Sequence, residues 1–317
     1  MVSRPPLLVI VGPTGVGKTA VAVRLAASLP LEAVNADSRQ IYRGMDIGTG
    51  KPTDEERAVL PHHLLDVVDP DERYHVARFR REALAALGAI RDRGRLPVVV
   101  GGTGLYVRSL LKGLRPAPPA DPHLREELTR YAETRGTAAL HARLAALDAS
   151  AAHRLHPNDR VRIIRAIEVR AGGAEPEAEG DGAADWRRDV DAWHLLMVGL
   201  TEPREALRRR LADRARAMLA RGMMDEVRRL LEAGYDESLP SMEGIGYRQF
   251  AAVLGGRMAE EEALRLMIRD TVRYAKRQMT WFARDPEVRW TDLGEVGGAE
   301  GAAEAILKLI AREGLLG

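Results

Sequence analysis

The chain has 317 residues, 45% of them hydrophobic and 30% charged, with 48 Lys+Arg against 46 Asp+Glu. That much apolar material excludes wholesale disorder, and a net charge of +2 excludes a polycation. The lack of cysteine excludes disulfides, thiolate nucleophiles and Cys-based zinc sites, and suits a reducing, cytoplasmic address.

No apolar run approaches the ~18–20 residues of a membrane span or reads as a signal peptide, so no membrane partner is expected. Length gives about two domains. Leu7–Val11 (LLVIV) is continuously apolar and stops at a glycine-rich turn, as a strand buried on both faces does. Val16–Leu29 follows as a helix. Further strands are predicted at Leu31–Val34, Pro97–Val100 and His194–Leu200, with a weaker one at Glu287–Trp290. Strands separated by helical stretches predict an α/β fold with a parallel sheet.

A different stretch interrupts this pattern. Leu114–Ala120 (LRPAPPA) is a proline-rich connector, and helices open at Asp121-Pro122 and Asn158-Asp159. Ala171–Asp185 is rich in Gly, Ala and acids and has no periodicity. We expect a small helical domain at 113–192, inserted into a core formed by 1–112 and 193–317. From about 203 onward the chain reads as helical, and no heptad pattern suggests association, so a monomer is expected.

Gly12–Thr19 (GPTGVGKT) satisfies G-x-x-x-x-G-K-[ST] between a predicted strand and a predicted helix. Such a loop turns backbone N–H groups and a helix N-terminus on an anion. The candidate diphosphate site is therefore Gly12, Pro13, Thr14, Gly15, Val16, Gly17, Lys18 and Thr19. Lys18 supplies charge, and the Thr19 hydroxyl is a ligand for Mg²⁺. No Asn-Lys pair for guanine occurs, and Pro97–Val100 ends in Gly101–Tyr106 (GGTGLY), with no acidic pair. The loop thus points to a kinase or transferase.

Further motifs follow in order: DSRQIY at Asp37–Tyr42, IGTGKP at Ile47–Pro52, HHLLD at His62–Asp66 and GGTGLY at Gly101–Tyr106. Then come NDRVRIIR at Asn158–Arg165, GYRQ at Gly246–Gln249, and YAKRQ at Tyr274–Gln278 leading to Thr280-Trp281. As an ordered set, from residue 7 to about 290, they resemble the tRNA dimethylallyltransferase (tRNA isopentenyltransferase) family. Gly50 departs from the family's usual Ala, and Ala171–Asp185 does not match it.

The resemblance implies a P-loop α/β core carrying a helical insertion. It implies transfer of a dimethylallyl group from dimethylallyl diphosphate to N6 of adenosine 37, beside the anticodon, with the tRNA anticodon stem-loop as partner. Locally, Asp37 reads equally as a turn cap or as a base; the resemblance makes it the base that takes the N6 proton. Thr103 resembles the threonine that lies against the target adenosine. Arg214 falls inside the apolar face of Leu207, Leu211 and Met218, where an unpaired cation is costly. Snorkelling or pairing with an internal acid would explain it; the resemblance assigns it to the diphosphate. A small-molecule kinase with the same Lys18 and Thr19 stays open as the alternative.

For RNA, the resemblance points to Asp37, Ser38, Arg39, Gln40, Thr103 and Arg125, and to Gly246, Tyr247, Arg248 and Gln249. Arg162 and Arg165 lie three apart on one helix. Near 263–284, Arg269, Arg273, Arg277 and Arg284 flank an apolar face, with Lys276 beside them. An arginine stripe is also what a solvated face looks like. His62-His63 lacks ligand spacing and reads as structural.

Overall fold

A strand apolar at every position needs cover on both faces. β1 (Pro6–Val11) has it in the computed structural model, which describes residues 4–114, 118, 121–173 and 192–316. Leu8 and Ile10 enter one core with Val21, Leu25, Leu196 and Ile306. Leu7, Val9 and Val11 enter a second core with Phe79, Leu87, Tyr106 and Phe282.

After β1 come α1 (Lys18–Ala26), β2 (Leu31–Asn35), α2 (Asp54–Val59), β3 (His62–His63), α3 (Val76–Asp92), β4 (Leu96–Val100) and α4 (Gly104–Lys112). Four helices follow: α5 (Pro122–Arg135), α6 (Thr137–Leu147), α7 (Ala149–Arg154) and α8 (Arg160–Ala171). The chain returns through β5 (His194–Thr201) to α9 (Arg204–Ala220), α10 (Met223–Glu232), α11 (Tyr247–Leu254) and α12 (Glu260–Phe282). It ends in β6 (Val288–Asp292) and α13 (Gly298–Arg312).

The six strands form one sheet in the order β3-β2-β4-β1-β5-β6, and every pair is parallel. All five strands read from the sequence are present. β3, two residues long, is the addition, since a pair of residues carries no period. Because β4 lies between β1 and β2, the carboxyl ends of β2, β4 and β1 are neighbours. Those ends run into Asp37, into Gly101–Thr103 and into the glycine-rich turn. In open α/β sheets this edge is where ligands bind.

Packing divides the chain into two units, Met1–Gly113 with Arg188–Gly317, and Leu114–Arg187. Parts of the segments Leu114–Ala120 and Ala171–Asp185 lie outside the described residues. In the second unit α5 to α8 close over Leu128, Leu140, Leu144, Ile163 and Ile167. The Asp121 carboxylate accepts the N–H groups of His123 and Leu124 ahead of Pro122, and Asp159 accepts that of Arg162. Two of the predicted helix starts are thus set by capping aspartates. Among the described residues no helix is long and apolar enough to cross a membrane.

Glu32, on β2, is 5% exposed, and its carboxylate accepts bonds from Arg93 at 2.5 and 3.0 Å. His63 Nε2 lies 2.7 Å from it. These partners, Arg93 first, hold the carboxyl at about 2, against an ordinary 4.5. A folded-state value below the unfolded one contributes stability above the unfolded pKa, lost as pH falls through the folded one. Glu32→Gln is therefore expected to destabilise the fold by about 2–3 kcal/mol at neutral pH. Denaturant titrations should show the difference shrinking from pH 4.5 towards 2.

Candidate active site

The turn after β1 needs conformations that only glycine adopts freely. Gly15 and Gly17 have φ of 76° and 102°, and a Cβ on Gly12 would lie 2.5 Å from the Leu200 carbonyl oxygen. Gly17 is the N-cap of α1 and offers no side chain to its first amides, which leaves them for an anion. Lys18 donates to the carbonyls of Gly12 and Pro13 at 3.0 and 2.9 Å. Burial pulls its ammonium down to about 8, with Asp37 opposing and Arg214 reinforcing the shift. Thr14, Gly15, Gly17, Lys18 and Thr19 line a cavity of about 230 Å³. Gly12, Pro13 and Val16, also expected at the diphosphate, shape the loop with their carbonyls and side chains. The first two give carbonyls to Lys18, and Val16 is fully buried in the core.

Asp37 follows β2 and is fixed from both sides. Its N–H donates to Asn35 Oδ1 at 3.1 Å, and its Oδ1 accepts the Arg39 N–H at 2.8 Å. The turn-cap reading is therefore correct for one carboxylate oxygen, which leaves Oδ2 for other work. Thr103 is half-buried, between Gly101 of the smaller cavity and Ser38 of a wider one. Its hydroxyl accepts the Ser38 N–H at 3.0 Å and reaches Ser38 Oγ at 3.3 Å. It thereby holds the turn that carries Asp37.

Arg214 projects from α9 between Leu211, Ala215 and Met218, as its place in the helical period requires. Burial lowers its pKa, opposed by the charge of Asp37. Its guanidinium lies where a Cβ on Gly50 (φ +62°) would be, 1.8 Å from that position. The departure at Gly50 thus bears on how Arg214 is seated. The 46–50 loop is held by Glu226, 2% exposed, which accepts the N–H groups of Asp46, Ile47 and Gly48 at 2.7–3.0 Å. Tyr247 Oη donates to the same carboxylate at 2.7 Å. Gln40, expected at the RNA, donates to the carbonyls of Thr49 and Gly50 at 3.3 and 3.1 Å and lines the cavity beside Lys18.

A second cavity, about 920 Å³, is lined by Ser38, Arg39, Arg269, Arg273, Tyr274 and Arg277 among others. Four residues belong to the walls of both cavities: Thr14, Asp37, Thr49 and Arg214. A small anion cradle therefore opens into a large, arginine-rimmed cleft, with a carboxylate at the junction.

Comparison with known proteins gives this arrangement a family. The IPP transferase family matches residues 40–285 and the isopentenyl transferase family residues 5–66. The tRNA dimethylallyltransferase of Desulforudis audaxviator is 47% identical over 310 residues, covering 98% of this chain and 99% of that protein. The chain belongs to the tRNA dimethylallyltransferase family. A second member, from Thermomicrobium roseum, is 45% identical over 317 residues, covering 99% of this chain and 94% of that one. The full-length tRNA isopentenylpyrophosphate transferase of Bacillus halodurans has a similar structure (TM-score 0.70, 37% identity, 99% of both chains). So does a eukaryotic dimethylallyltransferase described as acting on tRNA (TM-score 0.72, 28% identity, 92% of this chain and 74% of that one).

In this family member the residues expected at the RNA divide by what already holds them. Arg39, Arg273 and Arg277 line the cleft, and so does the exposed Arg248, paired with Asp270 at 2.5 Å. Lys276 is exposed but does not line it. Tyr247 and Gln249 are 1% and 4% exposed, and their polar groups are used internally, though Tyr247 also lines the cleft. Gln249 takes the Gly246 N–H at 2.7 Å and donates to Asp270 at 3.1 Å. Gly246 is itself buried against Met223. In the helical unit, Arg125 makes a two-pronged pair with the buried Glu168 at 2.9 and 2.6 Å. Arg165 adds a longer contact to Glu168 and donates to the Pro118 carbonyl. Both first of all staple α8 to its neighbours. Arg162 is 68% exposed and lines a groove of about 290 Å³ with Arg154, Arg165 and Arg170.

Glu226 and Gln278 were missed by the sequence reading. Glu226 had a signal, since it falls on the apolar face of α10 with Met223 and Leu230, as Arg214 does on α9. Gln278 sat inside a quoted motif with no role.

Proposed function

We propose that the chain transfers a dimethylallyl group from dimethylallyl diphosphate to N6 of an adenosine next to a tRNA anticodon. The observation that carries this reading is the shared wall, with Asp37 and Arg214 between the anion cradle and a cleft wide enough for an extruded base. The names and titles of its relatives as transferases acting on tRNA support the same substrates.

The steps follow from these groups. Chemistry on a base requires taking it out of the stack, and the cleft arginines offer charge to the RNA phosphates around it. The N6 nitrogen attacks the allylic carbon, whose C–O bond breaks with its electron pair passing to pyrophosphate. The extra proton on N6 passes to the free oxygen of Asp37. Lys18, Arg214 and the first amides of α1 meet the charge that develops on the leaving group. Mg²⁺ suits the cradle, because it keeps most of its waters and needs few protein ligands beside phosphates. Thr19 would hold it, and Asp37 and Asn35 line the same cavity. When bound, it would add neutralising charge at the leaving group.

The test is transfer of label from radiolabelled dimethylallyl diphosphate into unmodified tRNA. Label in the RNA is expected. Phosphorylated product from ATP, with no label in RNA, would replace this reading with a kinase.

A further inference from the structure

The face of α12 that carries Tyr274, Gln278 and Trp281 has one residue per turn, and Gln278 and Trp281 meet Gly102 and Gly104 just after β4. Gln278, 5% exposed, is the centre. Its Oε1 accepts the Thr14 N–H at 2.8 Å, and its Nε2 donates to the Gly102 carbonyl at 2.9 Å. One amide thus ties the phosphate loop to the loop that carries Thr103, across 264 and 176 residues of sequence. The contact is close, since a Cβ on Gly102 would lie 2.2 Å from Gln278 Nε2, and one on Gly104 would lie 2.1 Å from the Trp281 indole nitrogen. Tyr274, one turn before Gln278, lines the wide cleft. Arg269, Arg273 and Arg277 of the same helix line the wide cleft.

We infer that Gln278 is a positioning residue, setting the distance between the diphosphate loop and the Asp37–Thr103 turn, so that α12 aligns donor and acceptor while its arginines engage RNA. A rigid bridge suits this task better than a charge. A glutamine offers one acceptor and one donor in a fixed plane, and the two loops offer the matching N–H and C=O. The inference rests on the transferase reading, and it concerns alignment of the reacting atoms, to which rate is steeply sensitive.

Two variants test it in steady-state prenylation of tRNA. Gln278→Leu removes both bonds. Gln278→Glu keeps the acceptor for Thr14, but while ionised has no donor for Gly102. Both are expected to lose kcat on the order of 100-fold, with KM for tRNA and for dimethylallyl diphosphate held within about threefold. Lowering the pH protonates the introduced carboxyl, restores a donor to Gly102 and should recover part of kcat in Gln278→Glu alone. Unchanged kcat, a loss confined to KM, or no recovery at low pH would overturn the role. If Gln278→Leu does not fold, Gln278→Glu decides by the same outcomes. Wild-type protein that labels no tRNA would defeat the transferase reading itself, and the wild-type control separates the two failures.

Discussion

Asp37→Asn is expected to lower kcat by about 10²–10⁴-fold, the usual worth of a positioned general base. Asparagine is the informative change, because its Oδ1 can still accept the Arg39 N–H that Asp37 Oδ1 accepts at 2.8 Å. The turn, the Asn35 contact and the Thr103–Ser38 bonds then stay in place. What is lost is the second oxygen and its negative charge, which both Lys18 and Arg214 feel. Affinity for dimethylallyl diphosphate should therefore hold or rise, since removing an anion from the cradle removes repulsion towards the diphosphate. Single-turnover rates with bound tRNA check the first part, and equilibrium binding of pyrophosphate the second. A normal single-turnover rate would remove Asp37 from the chemistry and leave it as a turn cap.

Arg214→Gln should act on the other reactant. Its guanidinium lines the cradle and the cleft and has been stripped of much of its water. Pre-aimed donors of this kind are worth about 10²–10³-fold at a developing anion, and kcat/KM for dimethylallyl diphosphate should fall by that much. Pyrophosphate affinity should weaken by about tenfold or more, as for loss of a charged hydrogen bond of ~1.5–3 kcal/mol. The fold should survive, because burying a cation without its anion is a cost to the folded protein. Unfolding titrations of the variant should show equal or greater stability. Unchanged pyrophosphate affinity would return Arg214 to the snorkelling explanation.

Sequence alone located the anion cradle because each of its requirements is local: an apolar strand, glycines at fixed steps, and a helix start. Arg214 was legible for a similar reason, as a charge out of place in a helical period. Glu226 broke its period in the same way, and a uniform search for misplaced charges would have found it. Other parts were not legible. Gln278 meets a backbone amide 264 residues away, and nothing in its own helix encodes that partner. The GYRQ motif marks four residues without saying which way they point. The polar ends of Tyr247 and Gln249 turn onto Glu226, Gly246 and Asp270, while Tyr247 also lines the cleft. Thr103's bond to the Ser38 N–H was not legible either, for a backbone N–H is a group every residue has. Helix limits also shifted, from the expected Val16–Leu29 to Lys18–Ala26, because the glycine turn takes the first residues.

β1 is paired on both edges and packed on both faces. Any excursion that frees the phosphate loop must therefore disrupt two hydrophobic cores together, which ties that loop to the most protected layer of the protein. The turn with Asp37 and the 46–50 loop hang instead on individual side chains, Asn35, Thr103 and Glu226. Amide exchange should accordingly be slow in β1 and faster at 37–40 and 46–50, on either side of the buried Ile41, Tyr42 and Met45. The anion loop therefore moves with the sheet, whereas the turn with Asp37 can shift by rearranging a few side-chain tethers.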